Sequence, residues 1–220
     1  MKKTLLLTSA LTTAALSGGA WAQSAQDIVA RVQASQKTIK DLSFKVSGTA
    51  NLESGAQKLD FDVQAIPAQN VARINFNAPD ALADNVVVVD NKKVRNYLYL
   101  TNQITEQDVG RAASANGLDF NFSQFTDATA LLGRYDVKLA ETQNGPGGKV
   151  FVLEGTPKNG ASERTRIWIA EQGWRPVRLQ VLGGAGRVVT DLNITNYKTN
   201  SNLSSARLKA LPQDAEVVRR

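Results

Sequence analysis

From Leu42 onward, apolar and polar side chains trade places with a period of two. Leu42, Phe44, Val46, Gly48, Ala50 and Leu52 alternate with Ser43, Lys45, Ser47, Thr49 and Asn51. After a glycine-containing turn at 53–56, Leu59, Phe61, Val63 and Ala65 alternate with Lys58, Asp60, Asp62 and Gln64. Successive side chains of a strand point to opposite faces, so these two runs predict an antiparallel hairpin with one apolar face. Pro67 ends the second strand because it has no N–H for the ladder. Further strands are predicted at 71–76, 86–89, 94–100, 104–109, 135–141, 149–155, 164–170, 176–182 and 188–198. The connections at 144–148, 158–160, 171–173 and 183–186 are short and contain glycine, as hairpin turns do. The count comes to about ten or eleven strands, more than an open sheet carries without curling.

Two stretches break the alternation. Ala25, Ile28, Val29, Val32 and Ile39 recur at helical spacing, behind a Ser24 and Asp27 pair that reads as a capping signal, and predict an amphipathic helix to about Lys40. Between 110 and 133 a second helical stripe starts near Asn121, formed by Phe120, Phe122, Phe125, Ala128, Leu131 and Leu132. Three of the chain's seven phenylalanines fall within six residues there, which marks the stripe as a cover for apolar surface. The fold class is therefore α+β: an incomplete antiparallel β-barrel with helices forming a lid over an apolar cavity. A curled sheet either fills its inner side with side chains or leaves room for a ligand. The candidate cavity and lid residues are Phe44, Val46, Phe61, Val63, Ile74, Phe76, Val87, Val89, Tyr97, Tyr99, Phe120, Phe122, Phe125, Leu131, Ile167 and Ile169.

The first residues have a different character. Lys2 and Lys3 precede an apolar run at 5–16, and Ala20-Trp21-Ala22 stands directly before Gln23. A basic start, a short apolar core and a small-x-small end make a secretory signal peptide, and the run is too short to span a bilayer. The expectation is a signal peptide at 1–22 and one domain at 23–220, exported to a bacterial periplasm as a monomer. Without Lys2 and Lys3 the formal charge falls from +6 to +4.

The chain has neither histidine nor cysteine. That excludes Ser-His-Asp and Cys-His catalysis, disulfides, and zinc sites built on imidazole or thiolate. No enzyme activity, metal or cofactor is expected. Gly183-Gly184-Ala185-Gly186 lacks the lysine and hydroxyl residue of a phosphate loop and reads as a hairpin turn. Asp60 and Asp62 share a strand face with Lys58 and Gln64, which reads as a solvated face rather than a catalytic pair. Arg164, Arg166, Arg175, Arg178 and Arg187 are too dispersed for a nucleic-acid stripe and are expected to form solvated surface.

The segment IWIAEQGWRPVRLQVLGGAGRVVTDLNITNYKTN at 167–200 is similar to the C-terminal half of periplasmic outer-membrane lipoprotein carriers of the LolA type and their sorting-protein relatives. The front half agrees, with an amphipathic helix, the strand from Leu42, a proline-ended strand and VARINFNAPD at 71–80. The resemblance implies a half-barrel that binds the acyl chains of lipoproteins, or lipids. It also implies transfer from an inner-membrane donor complex to an outer-membrane receptor. Relatives of the same fold act instead as envelope regulators that sense lipids or mislocalised lipoproteins. Carriers of this type place an arginine before the strand-ending proline, where it bonds to the lid; this chain has Ile66 before Pro67. In place of the Phe-x-Pro pattern near the carriers' C-terminus stand Leu208 and Pro212.

Overall fold

The computed structural model describes residues 23–52, 55–91, 93–108, 127–145 and 147–219. The predicted signal peptide at 1–22 and Phe120, Phe122 and Phe125 lie outside the described residues. Helix α1 spans Ala25–Gln36, and Ser24 caps it through a reciprocal pair: its Oγ accepts from the Asp27 amide, and the Asp27 carboxylate accepts from the Ser24 amide. The helix ends before Ile39, which instead packs against the sheet. Strands β1 (Leu42–Leu52) and β2 (Gly55–Ile66) form the predicted hairpin, paired from Leu42 with Ala65 to Leu52 with Gly55. Strands β3 (Val71–Ala78), β4 (Val86–Asp90), β5 (Lys93–Leu98) and β6 (Gln103–Asp108) continue the meander. Helix α2 (Ala128–Gly133) precedes a second meander, β7 (Tyr135–Gly145), β8 (Gly148–Pro157), β9 (Arg164–Ala170), β10 (Arg175–Leu182) and β11 (Val188–Thr199). Helix α3 (Ser205–Lys209) and β12 (Glu216–Arg219) follow, neither of them predicted from the sequence pattern.

All twelve strands belong to one open, curved sheet in the order β12-β6-β5-β4-β3-β2-β1-β11-β10-β9-β8-β7, antiparallel except where β12 runs parallel to β6. The two meanders join where β1 pairs with β11. Register carries one face across that seam: Gly48 stands opposite Leu192, Leu192 opposite Leu179, Leu179 opposite Ile167 and Ile167 opposite Leu153. The buried residues of α1 and α2 cluster with Phe151, Leu153, Ile167 and Ile169 on this face, hereafter the inner face.

The C-terminal segment lies on the outer face. Leu208 of α3 is buried with Ile66 and Val71, while Leu211 and Ala215 pack against Val86, Val88, Tyr97 and Ile104. Polar contacts hold it at both ends. The buried Asp41 carboxylate accepts from the Ser201 and Asn202 amides at 2.8 and 3.0 Å. Arg73 donates to the carbonyls of Leu208 and Ala210, and Arg95 to that of Lys209, so two guanidinium groups meet the negative end of α3. Ile66 thus faces the C-terminal segment, and its apolar side chain packs there with Val71 and Leu208.

The seam tolerates little change. A Cβ on Gly48 would lie 1.9 Å from the carbonyl oxygen of Asp191, across the β1–β11 pairing. Replacing Gly48 by Val forces the two meanders apart, and urea denaturation is expected to show a loss of about 3 kcal/mol or more.

Candidate functional site

The predicted cavity residues separate into three groups. Phe44, Val46, Phe61, Val63, Ile74 and Phe76 form one cluster on the inner face of β1–β3, and Val87 packs against it half-buried. Strand pairing explains the convergence, because Val46 stands opposite Phe61, Phe61 opposite Phe76, and Ile74 between Val63 and Val87. Val89 stands opposite Ala72 on the same face and is also half-buried. Ile39, Leu82, Ile194 and Tyr197 complete this apolar floor, with the Tyr197 ring stacked on Phe44 at 5.6 Å.

A second group sits beneath the helices. Leu131, Ile167 and Ile169 belong to the cluster that buries Ile28 and Val32 of α1 and Ala128 and Leu132 of α2. Phe151 stacks on Trp174 at 5.6 Å, and the Arg31 guanidinium of α1 lies over the Trp174 ring at 5.0 Å from its centroid. These side chains make a helix-on-sheet core.

The third group lies away from the floor. Tyr97 stands opposite Val86, which stands opposite Asn75 and, through it, Asp62 and Lys45, so its ring points to the outer face. The predicted strand at 94–100 stops at Leu98, and Tyr99 opens a 3-10 turn with 54% of its surface exposed. Period-two counting places both tyrosines inward because Tyr97 has an apolar setting, but that setting is made by Leu211 and Ala215 of the C-terminal segment. Four floor residues, Ile39, Leu82, Ile194 and Tyr197, are not among the candidates. Tyr197 escapes the count because Asn196, at φ 54°, sits where the β1–β11 register shifts and turns the next side chain inward. Leu82 sits in the β3–β4 connection, where strand periodicity gives no signal.

The outer face carries charged pairs across β1, β2 and β8–β11. Lys45 pairs with Asp60 at 2.8 Å, and Asn77 donates to both Asp60 and Asp62, so the aspartates form a satisfied surface network. Arg178 grips Asp191 through Nε and Nη2 at 2.8 and 2.6 Å, while its guanidinium lies 4.8 Å from the centre of the Trp168 ring. Arg164 and Arg166 share Glu154 at 3.9 and 3.5 Å. Arg175 has no such carboxylate among the described residues and lies over the Tyr197 ring at 5.1 Å. Burial raises the pKa of the Tyr197 phenol above its ordinary value, so it is a neutral group at physiological pH. Among the described residues no cluster of acidic side chains is arranged to hold a metal ion.

Comparison with known proteins bears on the fold. No family model matches the chain. An uncharacterised conserved protein of Thermus thermophilus is similar over 89% of this chain and 99% of its own, at a TM-score of 0.66 and 29% identity. MucB, known from Pseudomonas aeruginosa and solved also in complex with MucA, is similar at a TM-score of 0.56 and 16% identity, over 88% of this chain and 65% of its own. A LolA superfamily protein of Nitrosomonas europaea shares the general topology at a TM-score of 0.40 and 13% identity, over 86% of this chain and 99% of its own, too distant to carry an argument. Among curated sequences, uncharacterised protein MJ0687 of Methanocaldococcus jannaschii is 20% identical over 194 residues, 86% of this chain. The chain spans about half the length of that relative, 52%.

The Arg178–Asp191 pair gives the outer face a pH signature. The two bonds from Arg178 hold the Asp191 carboxyl below the usual carboxylate range. A carboxylate depressed in the folded state stabilises above its ordinary pKa of about 4 and loses that contribution as the pH falls below it. The stability gap between the parent and Asp191→Asn is therefore expected to be present at pH 7 and to narrow as the pH falls through about 4 and below, read by urea denaturation across that range.

Proposed function

We propose that this chain is an exported, non-enzymatic carrier that binds acyl chains of lipoproteins or lipids against the inner apolar floor of β1–β4. The observation that supports it is the floor itself. Phe44, Val46, Phe61, Val63, Ile74 and Phe76 line one face, while the apolar residues of α1 and α2 are shared with β8 and β9 beside it. A surface of aliphatic and aromatic carbon with no charged residue in its register suits hydrocarbon and offers nothing for chemistry on it. Each methylene moved from water onto such a surface gains about 0.8 kcal/mol, so a sixteen-carbon chain represents roughly 12 kcal/mol of gross transfer energy. The signal-peptide pattern at 1–22 fits delivery to the envelope, where acylated cargo needs an aqueous shuttle between an inner-membrane donor and an outer-membrane receptor.

The likeness to MucB supports a second reading, an envelope regulator that uses the same fold to hold a protein partner. Native mass spectrometry of the mature protein purified from its own envelope separates the two. Bound acyl species favour the carrier; a protein complex with no lipid favours the regulator.

A fluorescent fatty-acyl probe is expected to bind the mature chain, and Val87→Asp to weaken it at least tenfold. Val87 is half-buried at the margin of the floor, so the sheet accepts the change while the carboxylate meets the hydrocarbon. Equal binding by the two proteins would rule out the β1–β4 floor as the acyl site.

A further inference from the structure

The apolar floor ends at a cationic rim. Tyr197 is the last floor residue on β11, with Phe44 stacked on one side of its ring and Arg175 lying over it. A guanidinium stacked on a ring spends only its π face; its N–H donors stay in plane and remain available to a bidentate oxyanion. The α1 terminus is tied to the same place. Ser35 Oγ donates to the Gly173 carbonyl at 2.8 Å, two residues before Arg175. Lys37 caps that helix end with its side chain exposed.

The nearby acids are engaged elsewhere. Asp41 is buried and accepts from the Ser201 and Asn202 amides, and Glu171 accepts from the Lys149 amide at 3.3 Å. No carboxylate lies within ion-pair distance of Arg175 among the described residues, whereas Arg164, Arg166 and Arg178 all have one. A guanidinium lying over an aromatic ring, with no carboxylate in ion-pair distance among the described residues and placed at the edge of a hydrocarbon floor, has the geometry of a headgroup anchor.

We infer that Arg175 binds the anionic headgroup of an acyl cargo whose chains lie on the floor. The cargo class is thus an acyl lipid carrying a phosphate or carboxylate next to its hydrocarbon. The inference rests on the acyl-carrier reading and adds the charge of the ligand.

The test uses the full mature chain and two matched ligand pairs: pyrene-labelled phosphatidylglycerol against phosphatidylcholine with the same chains, and oleate against its methyl ester. The charged member of at least one pair is expected to bind about tenfold tighter at 20 mM salt, with the preference shrinking at 500 mM. Preference within the first pair assigns a phosphate headgroup, and within the second a carboxylate. Arg175→Met is expected to abolish the preference while binding the uncharged members as the parent does, and Arg175→Lys to keep part of it. Equal affinity within both pairs for the parent protein would overturn the anchor and leave the carrier reading intact. Failure to bind any of the four ligands would overturn the carrier reading itself.

Discussion

The pairing of β1 with β11 is the constraint on which the rest of the molecule depends. It joins two meanders that are otherwise complete in themselves, and it carries a single apolar face from Phe76 on one side to Leu153 on the other. The contact is between residues far apart in sequence, Leu42 with Thr199 at one end and Ala50 with Thr190 at the other. Closing so long a loop is entropically costly, so the seam needs strong local terms. It has them in the Gly48 close approach, in Val46 and Leu192 buried side by side, and in Asp191 held by Arg178 and Gln180 on the opposite face. Without this pairing, the floor residues of β1–β3 would have no wall.

The same sheet solves two burial problems with different devices. On the inner face, α1 and α2 cover β8 and β9 with aliphatic side chains. On the outer face, the apolar residues of β3–β6 are covered by α3 and the chain after it, held by hydrogen bonds from Arg73 and Arg95. Burial lowers the pKa of Arg73 without approaching neutrality in any ordinary buffer, so the clasp stays charged. The division leaves the inner face of β1–β4 as the surface whose cover comes least from the described helices, and the proposed acyl site lies there.

Much of this was legible in the chain. Eleven of the strands follow from period-two alternation and glycine-bearing turns, and the Ser24–Asp27 pair marks the start of α1. Short elements escaped. α3 and β12 are five and four residues long and carry too few turns of either period to register. Their existence depends on the apolar outer patch of Ile66, Val71, Val88 and Ile104, which local pattern does not reveal. Tyr97 shows the same limit: its apolar neighbours were legible, but the face they occupy is set by register across three strands. Tyr197 shows the converse, since one left-handed asparagine turns a side chain that simple counting would have sent outward.

The position of the helices bears on how cargo is exchanged. Ile28 and Val32 of α1 are fully buried, and Leu131 and Leu132 of α2 are nearly so. Exposing an aliphatic side chain of this size costs about 1.5–3 kcal/mol, so lifting both helices costs on the order of 6–12 kcal/mol. That is comparable with the whole stability of a typical domain, about 5–15 kcal/mol. The Arg31–Trp174–Phe151 stack adds to the same docking. Helices held this firmly act as a wall, and a lid that opens at each exchange would have to be lightly packed. On the acyl-carrier reading, cargo therefore enters and leaves beside α1 and α2 while they stay docked.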